Sequence, residues 1–161
     1  MRAASGHALD GVGIRLTRLM MVTALALVAM TVVTTDVAHA NSTRILRDAN
    51  TGRCLDDRPN QALQSRSCDG SGYQLWIAHT WSTGVDEFSS YITGLCVDDS
   101  ITYNLRAYSC NGQSYQRWRV IWHGAWAELK NLNTGRCLDD SRAHGLRAIA
   151  CNGTNYQRWH L

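Results

Sequence analysis

The chain has 161 residues, 16 basic and 13 acidic side chains, a net charge of +3 and six cysteines. That length holds about one domain beyond any export segment. There is no basic run that could track a phosphate backbone, which argues against a nucleic-acid partner.

The first 40 residues differ in kind from the rest. Arg15 and Arg18 precede an apolar run from Leu19 to Val33, and a short polar stretch then ends at Ala38-His39-Ala40. A positive segment, an apolar segment and a small-x-small site in that order read as a secretory signal. The run is short for a membrane span, which needs about 20 apolar residues. The expectation is therefore a signal peptide over 1–40, cleavage near Ala40, and a secreted chain of residues 41–161. Arg2, Arg15, Arg18, Asp10 and Asp36 fall in that leader, so the charge of the remainder is close to neutral. No long apolar stretch follows position 40, so no membrane span is expected in the mature chain. Six cysteines in a short exported chain read as a disulfide framework.

From residue 42 onward the chain repeats itself three times, over about 42–83, 84–125 and 126–161. Cysteines fall at 54 and 68, 96 and 110, and 137 and 151. Thr51, Thr93 and Thr134 stand three residues before each first cysteine, each followed by glycine. Two and three residues after it come Asp56-Asp57, Asp98-Asp99 and Asp139-Asp140. Each unit closes with Tyr-Gln-x-Trp, at Tyr73 to Trp76, Tyr115 to Trp118 and Tyr156 to Trp159. Leu46, Phe88 and Leu129 share a register, as do Leu55, Val97 and Leu138, and Leu63, Leu105 and Leu146. With the three tryptophans these form a threefold apolar set, the expected core. Helical spacing is absent, and short β-branched or alternating segments lie between turn residues. A propeller typically needs at least four blades. Three units of four short strands predict an all-β chain closing one barrel, a β-trefoil.

Cys-Leu-Asp or Cys-Val-Asp, a second cysteine and Gln-x-Trp, three times over, resembles the ricin B-type lectin family, and the resemblance covers residues 42–161. It implies a β-trefoil with pairing inside each repeat: Cys54–Cys68, Cys96–Cys110 and Cys137–Cys151. It also implies a carbohydrate partner, a glycan or polysaccharide. The 121 residues after the leader are used up by the three repeats, which points to a stand-alone module. In such a site a carboxylate takes sugar hydroxyls while a ring covers the apolar face of the pyranose. Carried onto this chain, the family pattern selects Asp98, Tyr108, Asn111 and Gln116 in the middle repeat. Asp56 and Gln74, and Asp139, Asn152 and Gln157, are the weaker counterparts, because Arg66 and Ile149 replace the ring. All three repeats carry tyrosine before the glutamine where sugar-binding relatives often have asparagine. The second aspartate of each pair reads as a turn cap, and the glutamines as ties between strands.

No cofactor or metal is implied: no cysteine pair has zinc-ligand spacing and no histidine recurs with the repeat. An enzyme is disfavoured, since threefold geometry keeps the acidic pairs apart. A protein-binding trefoil such as a hydrolase inhibitor stays open, because a fold does not fix a function. Trp81, Trp122 and Trp126 lie outside the repeat register and either form an exposed patch or plug the barrel.

Overall fold

Alternation writes the barrel strands. Along Ala127–Asn131, residues 127, 129 and 131 are buried while 128 and 130 face outward, as a half-buried strand requires. The computed structural model describes residues 41–161; the expected signal peptide and the Ala40 cleavage site lie outside them. Thirteen strands occur: β1 Ser42–Arg44, β2 Arg47–Asp48, β3 Arg53–Asp56, β4 Gln64–Ser67, β5 Trp76–Ser82, β6 Val85–Ser90 and β7 Leu95–Ser100. β8 Asn104–Ser109, β9 Arg117–Trp122, β10 Ala127–Asn131, β11 Arg136–Ser141, β12 Gly145–Ala150 and β13 Trp159–His160 complete them. β1 and β2 together take the place that β6 and β10 take in the later repeats.

The sheet runs antiparallel through β1, β5, β6, β9, β10, β13 and back to β2, so six strand positions close a barrel without an edge. The hairpins β3–β4, β7–β8 and β11–β12 branch from it, one per repeat. This is the expected β-trefoil. Each hairpin is tied by its own disulfide: Cys54–Cys68, Cys96–Cys110 and Cys137–Cys151. Each repeat also has one 3₁₀ turn, at Gly72–Gln74, Ser114–Gln116 and Asn155–Gln157. Among the described residues no helix is long and apolar enough to cross a membrane.

The threefold apolar set is the core. Leu46, Phe88, Leu129, Leu55, Val97, Leu138, Trp76, Trp118 and Trp159 are buried together, with Leu63, Leu105 and Leu146 packed against them. Each tryptophan Nε1 donates to a carbonyl of its own hairpin, from Leu55, Val97 or Leu138, at 3.0 Å. A buried indole thus keeps its donor satisfied. The turn that enters each hairpin needs a left-handed residue, and Gly52, Gly94 and Gly135 supply it at φ 70°, 70° and 69°.

One buried position departs from the symmetry. Asp48, Ser90 and Asn131 share a register. Asn131 Nδ2 donates to the Tyr115 carbonyl at 2.8 Å, while its Oδ1 accepts from Asn133 and Thr134. Asp48 Oδ1 likewise accepts from Asn50 at 3.0 Å and Thr51 at 2.6 Å, but its Oδ2 is buried without a partner. Burial, reinforced by the Asp140 charge and opposed by the Thr51 and Asn50 hydrogen bonds, pushes the Asp48 carboxyl up to about 6. A raised folded-state pKa favours the protonated form, so this contribution to stability is full below the ordinary value of 3.8 and lost as pH rises through about 6. Asp48→Asn is therefore expected to stabilise the protein at pH 7.5 by about 1–3 kcal/mol, the cost of an unpaired buried polar group. The gain should shrink at pH 4. Urea midpoints at the two pH values test this, and a gain that grows towards acid contradicts it.

Candidate functional site

The first aspartate of each pair sits on the first strand of its hairpin, buried but aimed at the second strand. Asp98 lies opposite Arg106 in the β7–β8 register, and Asp139 opposite Arg147 in β11–β12. Arg106 Nε donates to Asp98 Oδ1 at 3.0 Å, and Arg147 Nε to Asp139 Oδ1 at 2.8 Å. In the first repeat Gln64 stands at that cross-strand position. There Arg58, two residues on from Asp56, folds back onto it at 3.0 Å and also reaches Asp69 at 2.6 Å. Every family-pattern carboxylate is thus already paired with a guanidinium. Sequence reasoning missed these arginines, although Arg106 and Arg147 share the position ten residues after the first cysteine.

The glutamines stand behind the aspartates. Gln74 and Gln116 donate through Nε2 to Asp56 Oδ2 and Asp98 Oδ2, at 3.1 and 3.3 Å, and to a hairpin carbonyl. Gln157 makes the carbonyl bond, to Ala150, at 3.1 Å, and Asp139 Oδ2 has no partner. Each glutamine Oε1 accepts from the backbone N–H of Asp69, Asn111 or Asn152. Asn111 and Asn152 in turn accept from Gln113 and Thr154 through Oδ1, closing a short turn.

A cleft of about 220 Å³ opens beside Asp98. Asp98, Tyr103, Arg106, Asn111, Gln113 and Tyr115 are among its lining residues. Of the four residues selected in the middle repeat, Asp98 and Asn111 face this cleft. Gln116 is buried behind Asp98, and Tyr108 lies outside the lining. The guanidinium of Arg106 stacks on both Tyr103, 4.3 Å from the ring centroid, and Tyr108, at 4.1 Å. Tyr103, in the β7–β8 turn, is 63% exposed against 38% for Tyr115, and is the more open of the two rings that line the cleft. No residue type shared between the repeats announces it.

The second aspartates do not cap local turns. Each instead accepts from a threonine of the next repeat: Asp57 from Thr93, Asp99 from Thr134 at 2.5 Å, and Asp140 from Thr51 at 2.5 Å. The register that spaces Thr and Asp within a unit brings them together only between units. At two of these seams an arginine joins. Arg53 donates to Asp140 through Nε at 3.0 Å and through Nη2 at 2.5 Å, and Arg136 grips Asp99 in the same forked way.

Trp81, Trp122 and Trp126 do not plug the barrel. Trp122 is 52% exposed. Trp81 lies under Arg117, and Trp126 is covered by Arg158 and stacked on His123. Tyr73, Tyr115 and Tyr156 sit at the surface side of their 3₁₀ turns, partly exposed. Among the described residues, the two groups of potential metal ligands each combine a glutamate with both sulfurs of a disulfide, which leaves a metal one carboxylate.

A family model for the ricin-type beta-trefoil lectin domain matches residues 42–160. No curated protein matches the chain. Among solved structures it is similar to the designed threefold-symmetric protein ThreeFoil, with TM-score 0.67 and 20% identity over 73% of this chain and 96% of that one. The hemolytic lectin CEL-III is similar with TM-score 0.63 and 22% identity over 73% of this chain and 29% of that one. An exo-β-1,3-galactanase from Clostridium thermocellum gives 0.66 and 20% over 74% of this chain and 30% of that one. At these identities the likeness is one of fold, and the chain spans under a third of the last two proteins.

Proposed function

The chain belongs to the ricin-type β-trefoil lectin family, and from that premise we propose that it is an exported carbohydrate-binding protein whose best site is the middle repeat. A carbohydrate-binding role follows from the family. The finer reading is carried by one observation: the cleft that joins Asp98, Asn111 and the open face of Tyr103. A pyranose laid on Tyr103 presents its hydroxyls to the Asn111 amide and to the Arg106–Asp98 pair, which offers donors and acceptors side by side. Gln116 holds Asp98 in place from behind, and Tyr108 flanks Arg106. Asp56, Gln74, Asp139, Asn152 and Gln157 form the lesser sites of the first and third repeats. A shallow cleft of this size binds weakly, on the order of 0.1–1 mM, so retention on a polymer needs several sites together.

A second reading, a protein-binding trefoil such as a hydrolase inhibitor, is favoured by the pairing of all three family-pattern aspartates with arginines. A glycan array with insoluble polysaccharides added separates the two. The parent is expected to bind, with Asp98→Asn and Tyr103→Ala each losing at least tenfold. Binding that survives both variants moves the site to another repeat. A folded parent that binds no saccharide favours the protein-binding reading.

A further inference from the structure

The three seams between repeats share one plan and differ in one residue. The position before the first cysteine is Arg53, Leu95 or Arg136. At the seams of Asp140 and Asp99 the arginine grips the carboxylate with two donors and adds a third bond, to the Ser141 or Ser100 carbonyl, at 3.0 Å. At the seam between the first and second repeats the Leu95 side chain has no donor, and Asp57 keeps Thr93 as its side-chain hydrogen-bond partner. A cavity of about 490 Å³ opens there, lined by Asp57, Leu63, Ile92, Thr93, Leu95 and Leu105 among others. Ile92 stands where the other seams have Asn50 and Asn133, so the wall beside the carboxylate is apolar. Burial raises the Asp57 carboxyl above its usual range despite the Thr93 bond.

We propose that this cavity is a binding site for the side chain of an arginine from outside the fold, its guanidinium on Asp57 and its methylene stem along Ile92, Leu95 and Leu105. The molecule itself supplies the template, since two equivalent carboxylates already hold a guanidinium in this way. The residue in the register of Ser100 and Ser141 is Arg58, which lies beyond the end of β3 and whose carbonyl accepts from the Gln61 N–H at 3.1 Å, so the bonds expected of an incoming guanidinium are those to Asp57. Two other cations border the cavity, Arg58 and Arg106. Each is already committed to its own carboxylates, Arg58 to Asp56 and Asp69 and Arg106 to Asp98. A planar fork suits this carboxylate better than a point-charge ammonium. The cavity and the glycan cleft lie on either side of Arg106, the one residue they share, and the proposal does not depend on saccharide binding.

The probe is Nα-acetyl-L-arginine N-methylamide, titrated into ¹⁵N-labelled protein and followed by NMR. The expected result is saturable shifts centred on the amides of Thr93, Leu95 and Leu105. The citrulline amide, equal in shape and uncharged, and the lysine amide should each bind at least tenfold more weakly. Leu95→Arg, which restores the seam's own guanidinium, should abolish the saturable shifts while raising the urea midpoint. Free L-arginine run alongside distinguishes an amino-acid ligand from a peptide one, and saturation by either keeps the assignment. The proposal is overturned if the wild-type protein shows no saturable shift, if citrulline or lysine binds as well as arginine, or if a folded Leu95→Arg protein binds unchanged. The citrulline comparison needs no variant and decides the matter even if Leu95→Arg fails to fold.

Discussion

Reduction of the three disulfides is expected to leave the protein unfolded at 37 °C. Each bridge closes a separate hairpin loop with a sequence separation of 14, and a loop of that size is worth about 3 kcal/mol in the chain-entropy model. The loops do not overlap, so the three costs roughly add, to a total comparable with the ~5–15 kcal/mol stability of a small domain. The second strand of each hairpin is half-buried or exposed at every position but Ala148, so packing offers little to replace the bridge. In each bridge the first cysteine is buried and the second is more open, so a small reductant has an approach. Thermal melts by circular dichroism, with and without reductant, provide the check. A reduced sample that melts within a few degrees of the oxidised one would show that the barrel alone carries the fold.

The second large effect should divide the seams. Asp99 is fully buried and holds Thr134 and the fork of Arg136, whose side chain keeps 22% of its surface exposed. Asp99→Ala leaves that guanidinium half-buried without its carboxylate, holding only the Ser100 carbonyl and the Asn104 side chain. Breaking a buried pair costs about 3–5 kcal/mol, and the remaining solvent contact of the arginine places the expected loss near 3 kcal/mol. Asp57→Ala at the seam without an arginine gives up a single hydroxyl bond, about 1 kcal/mol. Urea midpoints of the two variants test the difference. Equal losses would mean that the arginine fork contributes little to the seam.

The apolar skeleton was legible because it obeys the threefold register: one position in the first repeat names its counterparts in the others. Leu46, Phe88 and Leu129 are buried for this reason, as are the three tryptophans. Charge pairing follows that period only in two of the three repeats, through Arg106 and Arg147 and through Arg53 and Arg136. Arg58 and Arg106 do the same work on their aspartates from positions four and ten residues after a first cysteine. The first uses a local turn and the second a cross-strand register that only the paired hairpin defines. Tyr103 was invisible for a similar reason: its register holds Gln61 and His144 in the other repeats, so no shared residue type marks the position. The threonines and second aspartates were visible as repeats. Their partners were not, because the contact joins the start of one unit to the middle of its neighbour.

That last contact has a consequence for how the molecule is put together. Each repeat gives its threonine to the repeat before it and its aspartate to the repeat after it, and the third repeat closes back on the first through Thr51 and Asp140. The circle has no first member. A single unit in isolation would carry a donor and an acceptor that it could not bring together, whereas three identical units arranged about an axis would satisfy every one. The contacts are those of a head-to-tail homotrimer, with its rotational symmetry carried on one continuous polypeptide.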